Sequence, residues 1–376
     1  MKILITGGAG FIGRSLLHAL PPGDDVVVID SLVPDVHGPA AAFPPDVAAR
    51  ARCVRCDLHD VDAWREAAEG AQVLVHLAAL TGTGQGMYQQ QRYIDANAGA
   101  TVCLCEGLAS LRSRPARVIL ASSRAVYGEG PYRDGDRLLY PGARREADLA
   151  AGRWEFENAA GEPLEPVPAD EAAAVRPVSI YGLTKLWQEQ ALQMAAATHD
   201  LELLVLRFQN VYGPLQQPAN PYTGIVANFA TGMLANGSVD LFEDGEMSRD
   251  FVYIADVVGA LVSGISHPGR WQHTLNVGTG CRTTLREMAL RLAAIAGVSP
   301  TLAASGRYRV GDIRHASADL RAYGAMFGAW HPTSLTEGLA AYVAWYREQP
   351  PIDAAAGHAL TELARHGVLR TGRACR

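Results

Sequence analysis

The chain has 376 residues, 48% of them hydrophobic and 19% charged, with 33 basic against 39 acidic residues for a net charge of −6. That length supports one large α/β unit or two domains with a sizeable core, and the lack of any basic block or arm argues against a nucleic-acid partner. No apolar run reaches the roughly 18 residues of a membrane span. The six scattered cysteines fit a reducing, cytoplasmic setting. Cys53 and Cys56 form a C-x-x-C, but no second pair stands at ligand spacing, so neither a metal nor a redox centre is expected.

In chain order, "KILIT" is apolar and β-branched and reads as a buried parallel strand. It begins at residue 2, so no signal peptide is expected. "GGAGFIGRSL" follows, with Gly7, Gly10 and Gly13 three apart, and "FIGRSLLHAL" has helical spacing up to Pro21 and Pro22. A strand, a glycine turn and a helix let the backbone approach a phosphate, and the helix N-terminus supplies free N–H groups and partial positive charge. A turn of this kind also occurs where it does no more than pack a helix on a strand. Here, however, the next strand, "DDVVVID", ends in Asp30, about where a dinucleotide fold places the acid that bonds the adenosine ribose. An acid there repels a 2′-phosphate, which favours NAD over NADP.

Strands and helices then alternate. "RCVRCDL", "AQVLVHLAA", "ARVILASS" and "LELLVLRFQNVYG" read as strands. "VDAWREAAEG", the long "YIDANAGATVCLCEGLASL" and "IYGLTKLWQEQALQMAAATH" read as the helices between them. This order predicts a doubly wound parallel sheet with helices on both faces. Residues 128–175 break the rhythm, being rich in Gly, Pro and charge. A loop this long in a compact unit needs a reason. Both its ends adjoin the catalytic candidates, so it is expected to be a flap over the active site, with a small hairpin in "GRWEFENAAGEPL" turning near Gly161. Further on, "PYTGIVANFATGMLAN" reads as a helix and "VDLFEDGEMSRDFVYIADVVGALVSGI" as a hairpin followed by a helix. "TLNVGTG" reads as a strand and "TLREMALRLAAIAG" as a helix, and these shorter elements suit a smaller substrate lobe. The tail from Pro351 holds a short amphipathic helix, "HALTELARHGVL", of no evident purpose.

Two stretches carry the chemistry. "SSRAVYGEG" puts Ser122 and Ser123 at the carboxyl end of the fifth strand. "YGLTK" puts Tyr181 and Lys185 four apart on one helix face. Ligands of open parallel sheets bind at the carboxyl ends of the strands, so Ser123, Tyr181 and Lys185 are expected to converge beside a bound nicotinamide. Oxidising an alcohol to a ketone requires a proton to leave oxygen and a hydride to leave carbon. A phenol, with a pKa of about 10, is too weak a base at neutral pH. An ammonium held near it favours the phenolate, and Lys185 is the candidate for that role. Ser123 would position the reacting sugar oxygen. A Y-x-x-x-K alone also arises by chance on surface helices.

These residues bring out a resemblance. The chain resembles the extended short-chain dehydrogenase/reductases, the family of nucleotide-sugar epimerases and dehydratases. The resemblance rests on "TGGAGFIG", Asp30, Asp57-Leu58, "HLAA" at 76–79, Asn97, "SSRAVYG", "YGLTK", "RFQNVYGP" and "RDFVYIADV", in family order over about 350 residues. It implies a seven-stranded Rossmann sheet with NAD and a smaller C-terminal α/β lobe for a sugar nucleotide, in a homodimer. It implies catalysis by Ser123, Tyr181 and Lys185, and a pyrophosphate loop of Gly7, Gly10, Phe11, Ile12 and Gly13. Adenine contacts fall to Asp57 and Leu58, and the cofactor's ribose and pyrophosphate to Ala78, Ala79 and Asn97. Asn210, Arg249 and Arg314 would hold the sugar-nucleotide phosphates. The division that follows is an NAD-binding domain of residues 1–213 and 249–275, a sugar-nucleotide lobe of 214–248 and 276–350, and a tail of 351–376.

Within the family, 4,6-dehydration needs an acid pair after the active-site serine or threonine. Here Arg124 and Ala125 stand there, which argues against it. Stretches such as "DSLVPDVHG", "GQGMYQQQRYIDAN" and "YRVGDIRHASADL" resemble those of epimerases that act at C4 of dTDP-L-rhamnose and related dTDP-6-deoxyhexoses. Arg124 is a departure that bears on which sugar, carried on dTDP or UDP, is accepted. A C4 epimerase is the preferred reading. A C4 ketoreductase consuming NAD(P)H uses the same residues, and a dinucleotide-binding sensor or scaffold without catalysis is a more distant alternative.

Overall fold

The computed structural model describes residues 1–38, 41–218, 224–350 and 356–372. Seven strands form one sheet: β1 (Lys2–Thr6), β2 (Asp25–Asp30), β3 (Arg52–Arg55), β4 (Val73–His76), β5 (Arg117–Ser123), β6 (Glu202–Phe208) and β7 (Gln272–Val277). Every pairing is parallel, in the order β7-β6-β5-β4-β1-β2-β3. The chain winds outward from β1 in one direction and from β4 in the other. The crevice between those two strands is where a ligand of such a sheet sits.

The near-continuous apolar strands follow from burial on both faces. Ile3 and Ile5 of β1 join one core with the helix Ile254–Ser266, whereas Leu4 points into the other with Trp64, Leu104 and Leu192. A third core belongs to the smaller lobe, where the helices Ile225–Asn236, Leu285–Ala296 and Leu335–Arg347 pack together. The helix Arg321–Phe327 falls in the segment assigned to that lobe, yet its Tyr323 packs on the sheet's core. Among the described residues no helix is long and apolar enough to cross a membrane.

Two local expectations change, and a third is described only in part. The long helix after β4 is interrupted by a π-helical turn, Ile94–Gly99, before it resumes as Ala100–Ala109. Such turns interrupt the helical ladder most often at functional sites. The hairpin expected in "VDLFEDGEMSRDFVY" does not form. Ser238–Leu241 pairs in parallel with Thr301–Ala304, Ser248–Arg249 pairs with Thr283–Thr284, and Phe251–Tyr253 lies parallel to Asn210–Tyr212. These partners are distant in sequence, beyond the reach of a local pattern. The first residues of the helix expected from Pro221 lie outside the described residues, and the helix itself runs over Ile225–Asn236.

Segment 128–175 is built, but not as a flap. Tyr132–Asp134 pairs with Arg137–Leu139 and with Glu165–Pro166, and the chain turns at Gly161 (φ +81°), as expected. Leu149 and Trp154 pack on Tyr308 of the lobe. Arg144 pairs with Glu129 at 3.2 Å and with Glu243 at 2.8 Å, all three buried. These contacts fasten the segment to the side of the lobe.

Candidate active site

A cavity of about 870 Å³ opens along the carboxyl ends of the strands and runs into the smaller lobe. No residue between Ala125 and Tyr181 lines it, which corrects the expectation of a flap.

At one end lies the glycine loop, with Gly7, Gly10, Phe11, Ile12 and Gly13 in the wall. Gly7 has φ +70°, and a Cβ on it would stand 2.7 Å from the backbone of Ala78. A Cβ on Gly13 would stand 2.5 Å from the Cα of Gly8, so this glycine lets the helix Phe11–Ala19 press against the loop. Gly10 precedes that helix in extended backbone. No side chain caps the helix and its first turn holds no acid, which leaves its N–H groups to a phosphate. Asp30, at the end of β2, accepts hydrogen bonds from the backbone N–H of Ala9 (3.1 Å) and of Leu32 (2.9 Å). Its carboxylate thus braces the loop as well as facing the cavity. His37, in the "DSLVPDVHG" stretch, also lines the cavity with Nε2 3.5 Å from Asp30. Asp57, Leu58, Ala78 and Ala79 are in the wall as expected.

Asn97 is not. It is fully buried behind the wall in the π-helical turn, where its amide accepts from Leu80 N–H (2.7 Å) and donates to Leu80 O (3.0 Å) and Thr184 Oγ1 (2.9 Å). Its observed role is to tie the loop after β4 to the catalytic helix, Ile180–His199. Both its amide N–H groups are engaged with protein, and it does not line the cavity.

In the middle of the cavity, β5 delivers Ser123 and the helix Ile180–His199 delivers Tyr181, and both side chains line it. Ser123 Oγ also accepts from Ala125 N–H at 3.2 Å, fixing the turn that leaves the strand. Burial pushes the Tyr181 phenol up, against the Ser123 hydroxyl and the charge of Arg124, which both pull it down. Lys185 lies one helical turn deeper, fully desolvated, and donates to Ala121 O at 2.8 Å. Burial brings its ammonium down to about 7, opposed by Glu189. The charge of Arg124 favours the Tyr181 phenolate, while Lys185 is held by Ala121 O. One turn further, Glu189 accepts from Ser122 (2.5 Å) and binds Arg207 (2.7 Å), and Arg207 in turn holds Tyr127 (3.0 Å). This buried network steadies the end of β5. Burial and the neighbouring Arg249 bring the Arg124 guanidinium itself down to about 10.

The far end is cationic. Arg249 and Arg309 both line the cavity and are bound by one carboxylate, Asp312. Arg249 Nη2 lies 2.9 Å from Oδ1, and Arg309 Nε and Nη2 lie 3.1 and 2.8 Å from Oδ2. Burial alone would push the Asp312 carboxyl up, but Arg309, Arg249, Arg144 and Arg124 hold it far below the usual carboxylate range. Arg249 is further fixed by the carbonyls of Ser248 (2.8 Å) and Ile313 (2.8 Å). Asn210 also lines this stretch, and its buried Oδ1 has no protein partner.

Arg314 does not reach the cavity. It is buried in ion pairs with Glu155 (2.6 Å), Glu243 (2.9 Å) and Asp244 (2.7 Å), which hold the 128–175 segment to the lobe. Arg314 thus does not face the cavity as expected, whereas Arg309 does. The two are five apart in "YRVGDIRH". Gly311 (φ +81°) makes the turn that brings Asp312 back onto Arg309, and a glycine-aspartate turn just after an arginine is the local signal for it.

A family model described as the NAD dependent epimerase/dehydratase family matches residues 3–147 and 157–278. The dTDP-L-rhamnose 4-epimerase of Burkholderia thailandensis is 37% identical over 353 residues, 93% of this chain and 95% of that protein. Among solved structures, MoeE5 in complex with UDP-glucuronic acid and NAD is 30% identical with a TM-score of 0.73, over 92% of this chain and 99% of that one. The UDP-glucose 4-epimerase of Thermotoga maritima with UDP-glucose is 28% identical with a TM-score of 0.74, over 93% and 99%. With the glycine loop, Ser123, Tyr181 and the uncapped helix all on one cavity, the chain belongs to the NAD dependent epimerase/dehydratase family, and its cofactor is NAD.

Proposed function

We propose that the protein is a nucleotide-sugar 4-epimerase acting on a dTDP-6-deoxyhexose of the dTDP-L-rhamnose type. The observation that carries this reading is that Ser123 and Tyr181 line one cavity together with Arg124, a cation, in the position after the serine. The pair is suited to proton transfer at a sugar hydroxyl. The lack of an acid beside it argues against loss of water. NAD, when held at the glycine loop, would supply the hydride acceptor and donor for the sugar carbon. Its fit rests on the uncapped helix behind Gly10 and on the close backbone packing at Gly7 and Gly13.

The chain's own part is then as follows. Ser123 orients the C4 hydroxyl. Tyr181 accepts its proton and later gives it back, helped by the charge of Arg124. Arg249 and Arg309, kept side by side by Asp312, hold the diphosphate. An anchor on the diphosphate leaves the sugar free to present its other face, which epimerisation requires. The similarity to the Burkholderia thailandensis enzyme supports the choice of sugar and of nucleotide. The test is incubation of dTDP-L-rhamnose with substoichiometric NAD⁺, with products read by NMR. A C4 epimer in excess of cofactor supports the proposal. No turnover there, together with one-for-one NAD(P)H consumption on a dTDP-4-keto-6-deoxy sugar, overturns it in favour of a ketoreductase.

A further inference from the structure

The described part of the C-terminal tail, residues 356–372, returns to the cavity. Its helix, Ala356–Arg365, puts Ala359, Leu360 and Leu363 into the wall. The spacing places these three on one face. Leu363 stands 3.0 Å from where a Cβ on Gly84 would lie, and a Cβ on Gly86 would lie 3.5 Å from Tyr181 N. The short Thr83–Gly86 helix is therefore sandwiched between the tail and the start of the catalytic helix. Tyr88 secures the same side. Its hydroxyl donates to Glu362 (3.0 Å), and its ring stacks on His366 with centroids 4.3 Å apart.

Past a turn at Gly367, the strand Leu369–Thr371 pairs antiparallel with Arg307–Arg309. Val310 N–H donates to Val368 O at 2.9 Å. The strand that carries Arg309 is thus zipped to the tail, and Arg370 pairs with Glu146 in the 128–175 segment. The tail bridges the cavity from the catalytic side to the anion-holding side. A sugar held through its diphosphate at Arg309 and reaching Tyr181 lies against this bridge. What the bridge offers it is Ala359, Leu360 and Leu363, three side chains without donor or acceptor.

A hydroxyl pressed on such a wall loses its water and finds no partner, whereas a methyl group is buried with gain. We propose that the C-terminal helix is the specificity wall of the enzyme: Leu360, with Ala359 and Leu363, selects a sugar whose C6 is a methyl group over the same sugar with a C6 hydroxyl. This rests on the sugar-nucleotide reading above and adds to it the residues that make the choice.

The test uses the full-length, NAD-loaded protein and a matched pair, dTDP-L-rhamnose and dTDP-L-mannose, which differ by the C6 hydroxyl. Turnover and calorimetric affinity are measured for wild type, Leu360→Asn and Leu360→Met. Wild type is expected to prefer the 6-deoxy sugar by about a hundredfold. Leu360→Asn should narrow that ratio by about tenfold or more, through KM and affinity rather than kcat, and Leu360→Met should keep it. Should Leu360→Asn melt well below wild type, Ala359→Ser puts a hydroxyl in the same wall at little change in volume and must narrow the ratio as well. An unchanged ratio in a folded, NAD-binding variant overturns the wall while leaving the epimerase reading intact. Failure of wild type to bind or turn over either sugar overturns the reading on which the wall rests.

Discussion

Replacing Asp312 by Asn removes the charge that holds Arg249 and Arg309 together while almost preserving shape. The side chain is buried, accepts three bonds from the two guanidinium groups and one from Ile313 N–H (3.0 Å). Removing one partner of a buried pair costs about 3–5 kcal/mol. Arg309 is 33% exposed, so the lower end of that range applies to its share. With an unfolding entropy of roughly 2.1 cal/mol/K per residue, a loss of this size lowers the melting temperature by about 4–6 °C. Because the carboxyl is depressed in the fold, its contribution is complete above the unfolded pKa of about 3.9 and is lost only as the pH falls through its lower folded value. The difference between wild type and variant should therefore be flat from about pH 5 to pH 8. Calorimetric melts at several pH values and titration with dTDP read both effects, with dTDP affinity expected to fall at least about tenfold. A melting temperature within about 1 °C of wild type together with unchanged dTDP affinity would refute the idea of a carboxylate-clamped arginine pair.

The two arginines of "YRVGDIRH" should separate by phenotype. Arg309→Ala should raise KM for the nucleotide sugar at least about tenfold with little loss of melting temperature, whereas Arg314→Met should destabilise by about 3–5 kcal/mol, since Glu243, Asp244 and Glu155 lose their cation. The reverse assignment in steady-state kinetics and thermal melts would show that the wrong arginine faces the phosphates. Gly13→Ala, whose methyl meets the Gly8 backbone at 2.5 Å, should weaken NAD binding and lower the melting temperature together, as read by fluorescence titration and calorimetry. Normal NAD affinity in that variant would count against the packing argument. Arg124→Met should shift the acidic limb of the kcat profile to higher pH, because the cation that favours the Tyr181 phenolate is gone. An unmoved profile would return that role to Lys185 alone.

What was legible in the sequence is what depends on neighbours in sequence. The strand–glycine–helix start, Asp30 at the end of β2, and the four-residue spacing of Tyr181 and Lys185 are each written within a few residues, and the sheet followed from alternating apolar runs. The corrected features depend on partners far along the chain. Arg309 and Arg314 look alike in their own segment, and only the placing of Glu155, Glu243 and Asp244 around one of them decides which is withdrawn from the cavity. Asn97 lies in a motif but is turned inward by Leu80 and Thr184. Segment 128–175 is polar enough to suggest an exposed loop, yet its charges are matched by buried partners in the lobe. The tail helix showed its amphipathic face without showing that the apolar side closes a cavity, since that follows from the pairing of 369–371 with 307–309.

The central claim is that Tyr181 moves the proton at C4 of a sugar held by Arg249 and Arg309. Its most direct test is Tyr181→Phe, assayed for C4 epimerisation of dTDP-L-rhamnose alongside NAD and dTDP binding. The account predicts that kcat falls by at least about a hundredfold, the usual worth of a general base, while both affinities stay near those of wild type. Turnover close to wild type would remove Tyr181 from the mechanism and contradict the account.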